Sequence, residues 1–136
     1  FIGFLSFGAM AATGREAKLM KRTVEELMRS MPKNRIYLST QLAGLMQLED
    51  MEREEVLPVF NEWNEVQGFL ICSDALNETA GETVATVFDP YWAVLGKNQP
   101  LHEAAQKIIA ANAYGGVVYE RGRAQGYLLI SDINAV

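Results

Sequence analysis

The side chains best suited to ligand chemistry are aromatic rings and arginines in the second half of the chain. Aromatic walls with one or two fixed charges are what a small-ligand pocket uses to bury and orient an anion. Tyr119 and Arg121 are two positions apart on a predicted strand, so their side chains share a face if the strand stays regular through Arg121. The alternative is that the rings complete the core and the arginines are solvated in a turn. The group comprises Tyr91, Trp92, Tyr119, Tyr127, Arg121 and Arg123.

Side chains suited to catalysis are sparse. His102 is the only histidine and Cys72 the only cysteine, so a base–nucleophile pair would depend on a proximity that the sequence does not show. His102 fits a helix surface, and Cys72 lies in an apolar run typical of a core thiol. The sequence contains no CxxC, HExxH or glycine-rich phosphate loop. It therefore predicts no enzyme, no resident cofactor and no metal site.

The distribution of charge excludes one class of partner. The 136 residues carry a net charge of −5, with +4 over residues 1–48 and −9 over residues 49–136. An acidic body repels phosphate backbones, so nucleic acid is not expected as a partner. The length fits one domain, which buries about two thirds of its unfolded surface.

The N-terminal residues 1–13 carry no charge. A membrane-spanning helix needs about 20 apolar residues, so this stretch does not span a membrane alone. It fits the end of a transmembrane helix, a signal-peptide core with a small-x-small pattern at Ala9-Met10-Ala11, or an apolar helix end packed on a partner. We favour the first, which predicts a membrane contact through segment 1–14.

Hydrophobic periodicity divides the rest of the chain into a helical arm over residues 15–66 and a mixed region over residues 67–136, the two forming one domain. The arm also offers a surface for a homodimer. The mixed region predicts a β-β-α-β-β order, which is a small antiparallel sheet with one covering helix and an α+β fold. The predicted helices are 15–31, a second from residue 39, 50–63 and 100–113, and the predicted strands are 68–73, 83–88, 117–120 and 127–130.

A family resemblance rests on four segments, which are VQGFLICSD (66–74), VFDPYWAVLGKN (87–98), GGVVYE (115–120) and GYLLIS (126–131). Over residues 66–131 the chain resembles the single-Cache, PAS-like extracytoplasmic sensor domains. The resemblance implies a PAS-like sheet that binds a small metabolite and signals through the N-terminal helix. It also implies a ligand cleft between the sheet and the 89–98 loop, lined by Asp89, Tyr91, Trp92, Tyr119 and Arg121.

Two functions follow as expectations. The first is the ligand-binding sensory domain of a membrane-tethered receptor, located in the periplasm, with a small anionic or zwitterionic metabolite as its partner. The second is a structural or assembly subunit, pilin-like or part of a complex, anchored by its apolar N-terminal helix. Charges as early as Arg15 and Glu16 argue against a pilin proper, which needs a longer apolar spine.

Overall fold

The computed structural model describes residues 14–45, 56–73 and 82–136. Contacts between Cα atoms divide the chain into two compact units. The first unit joins the N-terminal segment up to Ser30 to residues 92–136, and the second unit holds residues 31–91. Each unit has its own sheet and its own hydrophobic core.

The described part of the chain contains both helices and strands. They are α1 (Gly14–Lys21), α2 (Val24–Leu27), β1 (Arg29–Ser30), β2 (Ile36–Tyr37), α3 (Leu42–Leu45), β3 (Val56–Phe60), β4 (Val66–Ile71), a 3-10 helix (Val84–Thr86), β5 (Ala93–Leu95), α4 (Leu101–Ala110), β6 (Gly115–Glu120), β7 (Arg123–Leu129) and α5 (Ile130–Asn134).

The sheet of the first unit has the strand order β1-β7-β6-β5. β5 and β6 run parallel, whereas β6 pairs with β7, and β7 with β1, in antiparallel fashion. A parallel pair needs a crossover connection, which α4 supplies between β5 and β6. The sheet is therefore mixed.

The core of the first unit lies between α4 and one face of this sheet. The apolar residues of α4 recur at the i, i+3, i+4, i+7 spacing of an amphipathic helix. Asn112, in the left-handed conformation with φ of 54°, follows the helix end. Leu19 from α1 and Val24 from α2 complete the same cluster. The buried residues of this core are Leu101, Ala104, Ala105 and Ile108 from α4, and Ala93, Leu95, Val118 and Leu128 from the sheet.

The second unit has the strand order β2-β3-β4, with β2 parallel to β3 and β3 antiparallel to β4. All five residues of β3 are buried, which suits its continuous apolar run. On β4, Phe69 exchanges two backbone hydrogen bonds with Asp89, at N···O distances of 2.9 and 2.7 Å. The buried core residues are Ile36, Leu42, Leu45, Leu57, Val59, Leu70, Cys72 and Val84.

The two units repeat one topology. In each, a strand is followed by a helix, a parallel neighbour and an antiparallel hairpin partner, which gives β2-α3-β3-β4 and β5-α4-β6-β7. The repeat is also present in the amino acids, because QGFLICSD (67–74) and QGYLLISD (125–132) agree at five of eight positions. The chain thus contains the same β-α-β-β pattern twice.

This architecture confirms the α+β class and corrects its details. The expected single antiparallel β-β-α-β-β sheet is wrong, because the described strands form two sheets and each contains a parallel pair. The expected helical arm over residues 15–66 contains the strands β1, β2 and β3. Most of segment 1–14 lies outside the described residues, so that part of the predicted domain division stays a prediction.

Two predicted elements differ for identifiable reasons. The helix expected over residues 50–63 is the strand β3 in its described part, because a run of consecutive apolar residues matches a helix face and a buried strand equally well. The strand expected at 83–88 contains a 3-10 helix, since the N–H groups of Val84 and Ala85 donate to carbonyls of residues 40 and 38 rather than to a strand. The helix at 100–113, the strand at 68–73 and the C-terminal hairpin are confirmed, with each end within four residues of its predicted position.

Candidate functional site

Trp92 and Tyr119 form an aromatic pair in the first unit. Trp92 directly precedes β5, and Tyr119 is near the end of the neighbouring parallel strand β6. Their ring centroids are 5.8 Å apart with an interplanar angle of 40°, and both side chains are half-buried. The pair therefore presents part of its ring surface to solvent, which is what a planar ligand needs for stacking.

Arg121 lies beyond the end of β6, in the two-residue turn of the hairpin. Arg121 and Gly122 both have positive φ, at 53° and 76°, as a type I′ turn requires. The strand is thus not regular through Arg121, and the condition for placing it on the face of Tyr119 is not met. Its exposed side chain instead borders a shallow surface depression together with Glu120, Arg123 and Gln125.

The charge beside this turn is partly neutralised. The Lys97 ammonium lies 3.3 Å from a carboxylate oxygen of Glu120 and 3.9 Å from one of Glu25. Because Lys97 partly neutralises the Glu120 carboxylate, Glu120 cancels less of the positive charge of Arg121 and Arg123 than an unpaired carboxylate would. The depression therefore combines two arginine side chains with a glutamate that is already paired with a lysine.

Asp89 and Tyr91 belong to the second unit. The Oδ1 atom of Asp89 accepts a hydrogen bond from the Tyr91 N–H at 3.0 Å, which is a local turn contact. The Tyr91 side chain is 54% exposed. The structure thus brings Trp92 to Tyr119 and Asp89 to Tyr91, and the five-residue ligand site remains a prediction.

Neither residue considered for catalysis stands out as reactive. Cys72 is buried in the core of the second unit. His102 is half-buried in the first turn of α4. Within residues 14–45, 56–73 and 82–136 there is no group of three or more His, Cys, Asp or Glu side chains that could hold a metal ion.

Sequence reasoning missed an ion pair that fastens α5 to β1. The Arg29 guanidinium donates from Nε and Nη2 to the two carboxylate oxygens of Asp132, at 2.8 and 2.7 Å. Asp132 Oδ2 also accepts from the Leu129 N–H at 3.4 Å, at the start of α5. The Ser-Asp pair at 131–132 repeats the pair at 73–74, each five residues after a Gly, but this repeat does not predict an ion pair with Arg29.

The two-unit β-α-β-β arrangement has clear counterparts among solved structures. The CBS domain of the bacterial CNNM/CorC family Mg²⁺ transporter in complex with ATP is 21% identical at a TM-score of 0.72, covering 88% of this chain and 89% of that one. A hemolysin-like protein containing a CBS domain, from Oenococcus oeni, is 14% identical at a TM-score of 0.76, covering 89% and 93%. CBSX2 in complex with AMP is 20% identical at a TM-score of 0.60, covering 83% and 93%.

The fold is that of CBS domains. No protein-family model and no curated protein matches the chain. The assignment to a Cache or PAS-like domain is therefore wrong, because the similar structures are CBS domains and the described strands form two mixed sheets instead of the single antiparallel sheet expected.

The function, partner and location expected from the Cache resemblance are corrected as well. The extracytoplasmic receptor domain in the periplasm is wrong, since the similar structures are CBS domains. The expected partner, a small anionic or zwitterionic metabolite, is not confirmed, since the ligands named for two of these structures are the nucleotides ATP and AMP. The alternative of a pilin-like assembly subunit finds no support in this fold. The predicted membrane contact and arm-mediated homodimer are likewise not supported. In the part of the chain that the structure describes, no helix is long and apolar enough to cross a membrane.

Proposed function

We propose that this chain is a regulatory module that binds an adenosine nucleotide. The observation that carries the proposal is the CBS fold, because two of the similar structures are complexes with ATP and with AMP. A regulatory role agrees with the expectation that the chain is not an enzyme, which stays a prediction. Adenosine nucleotides are abundant in the cytoplasm, and the proposal assigns the module to that compartment.

The proposal assigns the adenine base to the surface of Trp92 and Tyr119. Both rings are half-buried, so each is held by the fold and still offers a face. Stacking of a base on an aromatic side chain contributes roughly 1–3 kcal/mol. The tilt of 40° between the rings allows the base to lie against one ring while the other contacts its edge.

The proposal assigns the phosphates to the turn that follows Tyr119. Arg121 is exposed there, and its guanidinium matches the geometry of phosphate oxygens in a bidentate contact. Arg123 begins the next strand and adds a second positive charge at the same depression. Asp89 and Tyr91 stay predicted ligand residues, with the Asp89 carboxylate already engaged by the Tyr91 N–H.

The test is a titration of the protein with ATP, AMP, adenosine and GTP, in which calorimetry and tryptophan fluorescence measure binding. In a Trp63→Phe variant Trp92 is the only tryptophan, so quenching by the nucleotide reports on it directly. We expect ATP and AMP to bind and GTP to bind more weakly. Trp92→Ala and Tyr119→Ala should each weaken ATP binding by roughly 5- to 100-fold, because each loses a stacking contact. Arg121→Ala should weaken ATP binding more than adenosine binding.

The matched control is Tyr114→Ala, which removes an exposed tyrosine of the same unit that has no place in the proposed site. Its nucleotide affinity should equal that of the wild type. Absence of binding by every adenosine nucleotide would refute the proposed function. Binding that is unaffected by Trp92→Ala, Tyr119→Ala and Arg121→Ala would leave the function standing and show that the site lies elsewhere.

A further inference from the structure

Trp63 is the most exposed large apolar side chain of the described residues, at 72%. It lies in the five-residue loop 61–65 that joins β3 to β4 in the second unit. Tryptophan is highly buried on average in folded proteins, and an indole in water carries a large unfavourable apolar area. The exposure of the Trp63 indole at the tip of a hairpin is therefore unusual and suggests that it contacts a partner.

The loop around Trp63 is closed by Asn61. The Oδ1 atom of Asn61 accepts hydrogen bonds from the Trp63 N–H at 3.0 Å and from the Glu65 N–H at 2.9 Å. Its own N–H donates to the Glu65 carbonyl at 2.9 Å, and its side-chain amide donates to the Glu65 carboxylate at 2.9 Å. Four hydrogen bonds through one asparagine thus fix the backbone on both sides of the tryptophan.

Asn64 fastens the same loop to β2. Its backbone is left-handed, with φ of 62°, and its Oδ1 atom accepts a hydrogen bond from the Tyr37 hydroxyl at 2.8 Å. The Tyr37 ring packs on Phe60, with centroids 6.5 Å apart. Phe60 is fully buried, so the loop is connected to the core of the unit. Hydrogen bonds on both sides of Trp63 therefore hold its backbone at the tip of the hairpin, with the indole exposed.

The acidic residues of the loop and of its unit indicate which charge a binding partner of Trp63 would carry. Glu62 and Glu65 flank it in the loop and both are exposed. The Arg35 guanidinium carbon lies 4.7 Å from the Phe60 ring centroid, so this cation is engaged with another ring. Residues 31–91 contain three basic and eleven acidic side chains, a net charge of −8. A tryptophan ring in a loop that also carries two acidic residues attracts arginine and lysine and repels anionic groups.

We propose that the loop 61–65 is a docking site for a partner protein that presents an arginine-bearing surface, with Trp63 as its anchor. A guanidinium stacks on the Trp63 ring while Glu62 and Glu65 accept its hydrogen bonds. Tryptophan is over-represented among the residues that dominate protein interfaces, and a loop whose backbone is already hydrogen-bonded loses little backbone entropy on binding. An anionic bilayer is disfavoured as the occupant, because its surface potential opposes a unit of net charge −8.

The probe is a deca-arginine peptide, titrated into the full chain and followed by ¹⁵N NMR and calorimetry. The chain has two tryptophans, so the indole N–H signal of Trp63 is assigned by its loss in Trp63→Ala. We expect the largest shifts at residues 61–65 and an affinity that falls with added salt. Trp63→Ala should weaken binding at least fivefold, and Trp63→Phe should retain part of it, because phenylalanine still offers a ring face.

Controls separate docking from general charge attraction. Tyr114→Ala, which removes an exposed ring from the other unit, should bind deca-arginine like the wild type. Deca-glutamate should not bind. Trp63→Ala should melt within about 2 °C of the wild type, since the indole makes little contact with the core.

Three outcomes would overturn the proposal. The first is equal deca-arginine affinity for wild type and Trp63→Ala. The second is Trp63-dependent binding to vesicles of phosphatidylcholine and phosphatidylglycerol without binding to deca-arginine, which assigns the loop to a membrane surface. The third is concentration-dependent self-association that Trp63→Ala abolishes, which assigns it to a second copy of the chain.

Discussion

On β4, Gly68 lies directly against the backbone of Asp89. A Cβ atom at this position would overlap the Asp89 carbonyl oxygen and come within 2.9 Å of Pro90 Cα. The next residue, Phe69, forms the two backbone hydrogen bonds to Asp89 that cover the edge of the sheet. Gly126 has the same role on β7, where a Cβ would lie 2.5 Å from the Arg29 carbonyl oxygen. In both units a glycine permits a second backbone to approach the hairpin.

We expect Gly68→Ala to destabilise the protein by about 1–3 kcal/mol or more, because the added methyl group collides with backbone that is hydrogen-bonded in place. Gly44→Ala is the matched control within the same unit. A Cβ at Gly44, on α3, meets no atom within 4 Å, and alanine is the better helix former by roughly 0.5–1 kcal/mol. Urea unfolding of both variants measures the difference. Equal stability of the two would show that the segment at Asp89 moves aside.

At the scale of the element, the Glu26 carboxylate caps the N-terminus of the helix α2. Glu26 Oε2 accepts a hydrogen bond from the backbone N–H of Thr23 at 2.6 Å and a second from the Thr23 hydroxyl at 3.2 Å. These form one half of a capping box. The backbone hydrogen bond is the main cause that lowers the pKa of Glu26 below its ordinary value of 4.5, and the nearby Arg22 acts in the same direction.

The lowered pKa predicts a pH dependence with a definite sign. Because the folded pKa lies below the unfolded value, the stability that the ionised carboxylate contributes is present above pH 4.5 and is lost as the pH falls through the folded pKa. The melting temperature of the wild type should therefore exceed that of Glu26→Gln at pH 7, and the difference should shrink on acidification below pH 4.5. NMR titration of the Glu26 carboxyl carbon gives the pKa directly. A midpoint at or above 4.5 would contradict the assignment of the hydrogen bond.

At the scale of the whole molecule, the two units carry opposite charge. Residues 31–91 have a net charge of −8, which leaves +3 for the remainder of the chain. The proposed nucleotide surface, with Arg121 and Arg123, belongs to the positive unit, and the proposed docking loop around Trp63 belongs to the negative unit. A polyanionic ligand and an arginine-bearing protein are therefore directed to different units by long-range electrostatics.

Nucleotide binding predicts a stabilisation of the whole chain. A ligand at 100 times its dissociation constant stabilises the folded state by about 2.7 kcal/mol. For a chain of 136 residues this corresponds to a rise in melting temperature of roughly 6–12 °C. Thermal unfolding with ATP, AMP or GTP measures the shift, and Trp92→Ala should reduce it at the same ATP concentration. A shift that is equal for GTP and ATP would argue against recognition of the adenine base.

Local patterns in the sequence were sufficient for part of the fold. The helix α4 follows from its apolar spacing, and the hairpin of β6 and β7 follows from two strand-like runs joined through Arg121-Gly122-Arg123. These elements satisfy their backbone hydrogen bonds among neighbouring residues, so nearby amino acids decide them. For the candidate site, the sequence singled out Trp92 and Tyr119 as aromatic residues, and only the family resemblance placed both at one cleft. Their ring contact is a finding of the structure.

Only the tertiary structure decided the remaining features, because they depend on contacts between distant residues. The parallel pairs β2–β3 and β5–β6, and the pairing of β1 with β7 across about 100 residues, leave no periodic signal in the segments concerned. The same holds for Val84–Thr86, where the N–H groups of Val84 and Ala85 donate to the carbonyls of residues 40 and 38, and the Thr86 N–H closes a 3-10 turn on the carbonyl of residue 83. The repeated QG-aromatic-L-x-x-SD pattern was present in the amino acids, but it acquires meaning as two equivalent hairpin strands only when both sheets are seen.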